Sequence, residues 1–273
     1  MNAPHDVVMI VFVFLMGCCI GSFLNVCAYR IPREIALAAP RSFCPACGAD
    51  ISWRFNIPVV SWFLLLGKAR CCGARFSFRY PLIELLTGAM FVACIDRYGL
   101  QLGAVYCLFI SLLIVGMCTD FDHLMIPDRI TLGGFVIGLA CSVALPDIHA
   151  QTSRWESFNW SLIGGVTGAG ILWAIATIGT NFLKKEAMGM GDVKLMACIG
   201  AFLGWKATLF SIAAGSIFGS ILGVACLIIH KKKLGSHMAI PFGPPLMLAA
   251  VIWIFGGEDV WDSYFNMFEP PAP

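Results

Sequence analysis

Charge is what this chain of 273 residues has least of: Asp, Glu, Lys and Arg together make up 12% of it, against roughly a quarter in an ordinary soluble domain. With 59% apolar residues and a mean hydropathy of +0.84, that scarcity excludes a soluble globular domain. Solenoid repeats and low-complexity stretches are also lacking, and the 28 glycines and 14 prolines interrupt the apolar runs too often for one long coiled coil. The first apolar run lacks the features of a secretory signal. No Lys or Arg precedes it and no A-x-A-like site follows it, so it reads as a retained helix.

What is present is a series of apolar segments. A spanning helix needs about 20 mostly apolar residues, because every backbone polar group has to be satisfied within the segment. Eight stretches qualify, at about 7–28, 82–95, 101–118, 130–145, 160–179, 194–204, 207–229 and 239–256. The expected fold is therefore an all-α polytopic membrane protein of about eight transmembrane helices, with a cysteine-containing loop subdomain after the first. The chain divides into a first helix (1–29), the cysteine loop (30–80), a membrane domain (81–258) and an acidic C-terminal tail (259–273).

Eight spans put alternate loops on one side, and 15 of the 18 Lys and Arg residues fall in the loops 29–81, 119–129, 180–194 and 230–238. By the positive-inside rule these loops are cytoplasmic. The net charge of +2 is then a cancellation of about +7 on that side against −5 on the other. The basic residues of the cysteine loop are accounted for by this placement and by contact with anionic headgroups. No nucleic-acid partner is expected.

Nine of the 13 cysteines lie in or beside apolar runs, where a thiol behaves as a small hydrophobe. The other four, Cys44, Cys47, Cys71 and Cys72, share the polar loop. Cys44-Pro45-Ala46-Cys47-Gly48 has the form of a zinc knuckle, with two thiolates two residues apart and a glycine for the turn. The second half lacks its C-x-x-C, because Ala69 stands three residues before Cys72. Three readings stay open: Cys71 and Cys72 both reach a metal, three thiolates bind with a fourth ligand from elsewhere, or the thiols are incidental.

Two further segments carry acids on the predicted cytoplasmic side: Thr119-Asp120-Phe121-Asp122-His123 after the third span, and Gly189-Met190-Gly191-Asp192 before the sixth. Two carboxylates at neighbouring helix ends share a proton when they are close, which is what an aspartic peptidase requires. One deprotonates water while the other hydrogen-bonds or protonates the scissile carbonyl. Asp128, after Pro127, reads as a helix N-cap, and Glu84, after Pro81, as an acid suited to a helix N-terminus. A rival reading makes the acids a cation or proton path of a transporter, although no acid lies near mid-span. A third is a methyltransferase or assembly scaffold without peptidase activity.

The ordered set of motifs resembles the type IV prepilin peptidases, also called prepilin leader peptidases, over about residues 17–245. GSFLNVCAYRIPR at 21–33, the cysteine-loop segments at 44–68 and 72–88, DFDHLMIPD at 120–128, GMGDVKLMA at 189–197 and IPFGPPLMLAA at 240–250 carry the likeness. The resemblance implies a membrane aspartic endopeptidase of the bacterial inner membrane. Such an enzyme removes the leader from type IV prepilin or type II secretion pseudopilin precursors at the cytoplasmic face. It implies Asp120 and Asp192 as the catalytic pair, and Cys44, Cys47 and Cys72 as three of four loop cysteines, with Cys71 as a shifted fourth. It also implies N-methylation of the new N-terminus with S-adenosylmethionine, although no G-x-G-x-x-G follows a strand to mark a site for that cofactor.

Overall fold

The computed structural model describes residues 4–37, 42–184, 188–229 and 241–267. The basic run Lys231 to Lys233, Lys185, Ile240 and Glu269 lie outside them. The described residues are helical, without strands beyond two isolated bridges. The helices are α1 (Pro4–Arg30), α2 (Val60–Leu64), α3 (Arg79–His123), α4 (Asp128–Ala144), α5 (Arg154–Leu183), α6 (Met190–Ile229), α7 (Gly243–Ile252) and α8 (Glu258–Asn266). Four segments, Val7–Arg33, Arg79–His123, Arg154–Phe182 and Met190–Ile228, are long and apolar enough to cross a membrane.

The two longest helices are not single rods. At 1.5 Å per residue, the 45 residues of α3 would rise about 67 Å, twice the roughly 30 Å hydrocarbon core. Gly99 breaks the helix with φ 73° and ψ 178°, a conformation open to glycine. The chain then reverses. The Cys107 thiol lies 3.9 Å from the Phe91 carbonyl, and the Tyr98 and Tyr106 rings are 4.6 Å apart. Gly204 (φ 79°, ψ 178°) does the same to α6. A methyl group at Gly168 of α5 would meet both the Met196 carbonyl at 2.5 Å and the Thr208 side chain at 2.9 Å, so the two arms of α6 run side by side. With these breaks, each of the eight apolar segments of the sequence has its own helical stretch.

The chain forms two compact units. In the first, Met1–Val115, α1 meets α3 through small residues: a methyl at Gly17 would lie 2.7 Å from the Gly88 Cα, and one at Gly21 would lie 2.8 Å from the Glu84 Cα. Backbones approach this closely in membranes because small residues, rather than a hydrophobic driving force, make the interface. The second unit, Gly116–Pro273, is built around α6, which packs on α4, α5 and α7. Its core includes fully buried Phe202, Met196, Ile199, Leu246 and Met247. Ser161 Oγ donates to the Ala201 carbonyl at 2.6 Å, a polar tie between α5 and α6 that spares a buried hydroxyl. The outward side of α5 carries exposed Val166, Trp173 and Ile178, as expected of side chains that meet lipid.

Three local expectations change. Asp128 is the first residue of α4, the N-cap is Pro127, and no side chain caps that end. Glu84 lies beyond the first turn of α3, where it is buried and accepts the Val59 N–H at 2.6 Å. Part of the acidic tail is helical, because Glu258, Asp259 and Asp262 belong to α8, whose Trp261 ring packs against Trp253 and Phe265.

Candidate active site

Asp120 lies in the last turn of α3. Leu124 ends the helix with φ 53°, its N–H returning to the Asp120 carbonyl at 2.9 Å, and α4 then starts at Asp128 with Pro127 as its N-cap. The left-handed residue after a helix is usually glycine, so this stop is held by what surrounds it. Ile126, 6% exposed, supplies the hold. Its side chain sits 3.7 Å from where a methyl at Gly191 would be and 2.8 Å from where one at Gly243 would be. One residue of the first aspartate segment thus brings the Gly-Met-Gly-Asp turn and the start of α7 together.

Asp192 lies in the first turn of α6, with its N–H bonded to the Gly189 carbonyl at 3.2 Å. Asp120 is close enough for its charge to bear on Asp192. Both expected acids therefore belong to one site, although 72 positions separate them in the sequence. The same site contains an ion pair. Lys194 Nζ reaches both carboxylate oxygens of Asp128, at 2.7 and 2.9 Å, joining the first turn of α4 to the first turns of α6.

Gly243 is the residue that sequence reasoning did not single out. It opens α7 and is followed by Pro244 and Pro245, which have no N–H to offer. Leu246 N–H goes to the Phe242 carbonyl, so Gly243 is left as the orphan donor of that helix start, and its N–H donates to the Asp120 carboxylate. Asp120 is 5% exposed, and its Oδ2 has no hydrogen-bond partner among the described residues. A buried carboxylate oxygen without a partner is costly unless something else completes it. The signal in the sequence was the Gly-Pro-Pro triplet, which removes the competing donors and the side chain at one point.

The loop cysteines form a separate cluster in the first unit. The backbone folds two matching knuckles. In the first, Cys44 N–H bonds the Ala49 carbonyl and Gly48 N–H bonds the Cys44 carbonyl. In the second, Ala69 N–H bonds the Ala74 carbonyl and Gly73 N–H bonds the Ala69 carbonyl. Ala69 therefore occupies the place of Cys44, and Cys72 the place of Cys47. Cys71 takes the place of Ala46, and its sulfur still reaches the cluster. The four Sγ atoms lie within 4.8 Å of one another. The shortest separations are 3.4 Å for Cys47 to Cys71, 3.7 Å for Cys44 to Cys72 and 3.9 Å for Cys71 to Cys72. A zinc–sulfur bond of about 2.3 Å gives a tetrahedral edge of about 3.8 Å, so the set fits a four-thiolate zinc site. Backbone N–H groups of Ala46 and Cys47 pull the Cys44 thiol down to about 7, while its Cys47 neighbour pushes Cys71 up to about 12.

Residues 15–98 match the family described as the bacterial peptidase A24 N-terminal domain, and residues 107–224 match the type IV leader peptidase family. Three relatives are each named prepilin leader peptidase/N-methyltransferase. The protein of Aeromonas hydrophila is 32% identical over 288 residues, which cover 94% of this chain and 93% of the relative. The protein of Pseudomonas aeruginosa is 32% identical over 289 residues, covering 97% and 96%. The protein of Myxococcus xanthus is 37% identical over 219 residues, covering 80% of this chain, which spans only 63% of that relative's length. No solved structure matches the chain. The A24 N-terminal match contains all four loop cysteines and the leader peptidase match contains both aspartates. On these matches, and on near-complete coverage of two relatives, the chain belongs to the type IV leader peptidase family.

Proposed function

We propose that this chain is a membrane aspartic endopeptidase that removes the leader from type IV prepilin or type II secretion pseudopilin precursors, and that it N-methylates the new N-terminus. The observation that carries the reading is the pairing of Asp120 and Asp192 at abutting helix ends, with one Asp120 carboxylate oxygen left without a partner among the described residues. In this reading the chain crosses the bacterial inner membrane eight times. The α3 arms joined at Gly99 and the α6 arms joined at Gly204 each form a hairpin through the bilayer. The basic loops lie in the cytoplasm, and so does the end of the bundle that carries the two acids.

The precursor enters the bilayer as a helix with its leader in the cytosol. One carboxylate takes a proton from water as the oxygen adds to the scissile carbonyl carbon. The other gives its proton to the carbonyl oxygen. Collapse of the tetrahedral species breaks the C–N bond, the leaving nitrogen collects the proton that the first carboxylate took, and a hydroxyl of the tetrahedral carbon returns its proton to the second carboxylate as the C=O bond re-forms. Gly243 N–H holds Asp120 in place through this sequence, and Gly189 leaves space where the substrate backbone would pass, since among the described residues only the Gly191 nitrogen, at 4.0 Å, comes near where a Cβ would stand there.

Cys44, Cys47, Cys71 and Cys72 would hold zinc, which supplies a structural crosslink to a loop too short to fold on its own core. S-adenosylmethionine, when bound, supplies the methyl group. The test is co-expression with candidate precursors, with leader loss and N-terminal mass read together. Loss of the leader with a gain of one methyl supports both activities, loss alone supports the peptidase only, and an intact leader contradicts the reading.

A further inference from the structure

The cysteine loop of the first unit leaves an apolar face open that neither the acids nor the thiols use. In α2 the exposed residues Val60, Phe63 and Leu64 stand at i, i+3 and i+4, so they share one side of the helix, and Ser61 is buried. Leu66 follows them. It is 81% exposed, and Leu64 is 78% exposed. Leu66 also holds φ at 50°, where glycine or asparagine is the usual occupant. Its N–H bonds the Phe63 carbonyl and the Gly67 N–H bonds the Trp62 carbonyl, which makes it the corner that ends α2. Water does not reward a large apolar side chain at a corner that a smaller or polar residue adopts more readily.

The face is continuous with the exposed stripe of α3, a helix long and apolar enough to cross a membrane. Leu82 and Leu86 are exposed at a four-residue spacing, while Ile83, Glu84 and Thr87 between and beside them are buried. One turn earlier, the exposed Phe78 accepts the Leu82 N–H at its carbonyl, at 3.2 Å. The Phe78 ring meets Trp62 edge-on at 5.3 Å, and Trp62 meets Phe63 at 5.2 Å. Trp62 is fixed in turn, because its Nε1 donates to the Phe76 carbonyl at 3.3 Å and a methyl at Gly67 would lie 2.9 Å from its ring. Thus α2 is seated on the entry to α3, and its apolar side extends the α3 stripe past the end of that helix.

Charge selects what covers this face. Residues 30–80 carry eight Lys and Arg against two acids, an excess that stays positive when four thiolates on one zinc are counted. Arg54, Lys68, Arg70 and Arg75 are exposed, and none of them pairs with an acid among the described residues. A second copy of the chain would bring the same positive loop against itself. Large apolar side chains among unpaired cations match the interface of an anionic bilayer.

We propose that the apolar side of α2, together with Leu66, is a membrane-insertion surface for an anionic leaflet. Phe63, Leu64 and Leu66 enter the acyl boundary, while Arg54 and Lys68 stay with the phosphates. The insertion fixes the height of both cysteine knuckles against the bilayer. The proposal rests on the cytoplasmic placement of the loop given above, because the cytoplasmic leaflet is the anionic one.

The test uses the full chain with p-benzoylphenylalanine in place of Leu64, reconstituted in vesicles of phosphatidylcholine alone or of an equal mixture with phosphatidylglycerol. Mass spectrometry of the labelled peptide identifies what the probe captures, and the same probe in place of Leu86 marks the α3 stripe. Retained helicity and thermal transition show that each variant is folded. Lipid adducts should form at position 64 and be at least about threefold more abundant in the mixture. Leu66→Asn suits the left-handed corner but withdraws the apolar tip, and it should lower that yield at least about fivefold. Lipid adducts at position 86 with none at 64, or capture of the second unit or of another copy at 64, overturn the surface. Equal yields in the two vesicles overturn its preference for anionic lipid. Trypsin cutting the loop from outside intact spheroplasts would contradict the cytoplasmic placement, and the vesicle result decides the surface independently of it.

Discussion

Replacing Gly243 with alanine separates positioning of Asp120 from stability of the fold. The added methyl would lie 2.6 Å from Asp120 Oδ2 and 2.8 Å from Ile126 Cδ1, where non-bonded contacts settle near 3.5 Å. The carboxylate must retreat by about 1 Å, and the hydrogen bond from the residue 243 N–H lengthens with it. Both atoms that clash are tips of side chains that can rotate, so the destabilisation should stay near the low end of the roughly 1–3 kcal/mol typical of overpacking. Misplacing a reacting group by about 1 Å costs on the order of 100-fold in rate, or about 2.7 kcal/mol in the barrier. The measurement is leader cleavage of a co-reconstituted precursor, with melting temperature in detergent alongside it. Gly133→Ala in α4, where a methyl meets nothing within 4 Å, serves as the control and should leave both unchanged or gain slightly in stability. Wild-type cleavage by Gly243→Ala would refute the claim that this glycine positions Asp120, and unfolding of the variant would refute the separation of site from fold.

Three other outcomes follow from the geometry. Lys194→Asp should misalign the starts of α4 and α6, and Asp128→Lys in the same chain should recover much of the lost cleavage. The pair is partly exposed, so the stability change should stay within about 1 kcal/mol in urea titrations. Metal analysis of the purified chain should find one zinc, lost in Cys71→Ser and regained when Ala69→Cys is added, because Ala69 occupies the vacated knuckle position; binding should also weaken as the pH falls, because each thiol has to give up its proton to bind the metal. His149, in the loop between α4 and α5, is pushed down to about 4 by burial, against a hydrogen bond with Ala201. The unfolded chain binds that proton near pH 6.5, so stability should fall as the pH drops from 6.5 toward 4, by up to about 3 kcal/mol, and His149→Gln should flatten the loss in pH-dependent melting curves.

How far the sequence could be read depended on whether a feature was local. The apolar segments were legible because each satisfies its own backbone; Gly99, between the second and third, and Gly204, the last residue of the sixth, are where α3 and α6 leave helical geometry. Asp120 and Asp192 were legible as acids next to glycine-rich or helix-ending turns on one predicted side. Gly243 was not, since its meaning lies in a carboxylate more than a hundred positions earlier, and two prolines silently remove the competing donors. Asp128 looked like a cap because caps are local, yet its partner is Lys194, on another helix. Cys71 was ambiguous by spacing, because a ligand shifted by two positions from its knuckle place reaches the cluster only through the matching folds of both knuckles, which sequence spacing does not carry.

The central claim is that Asp120 and Asp192 act as one unit, and it is tested most directly by leader cleavage in membranes carrying Asp120→Asn, Asp192→Asn or both. An amide keeps the size of the side chain and removes the proton chemistry. Each single variant should insert normally and leave the precursor uncleaved, and the double variant should be no worse than either, as expected of residues that work together. Cleavage at the wild-type rate by either single variant would contradict the account.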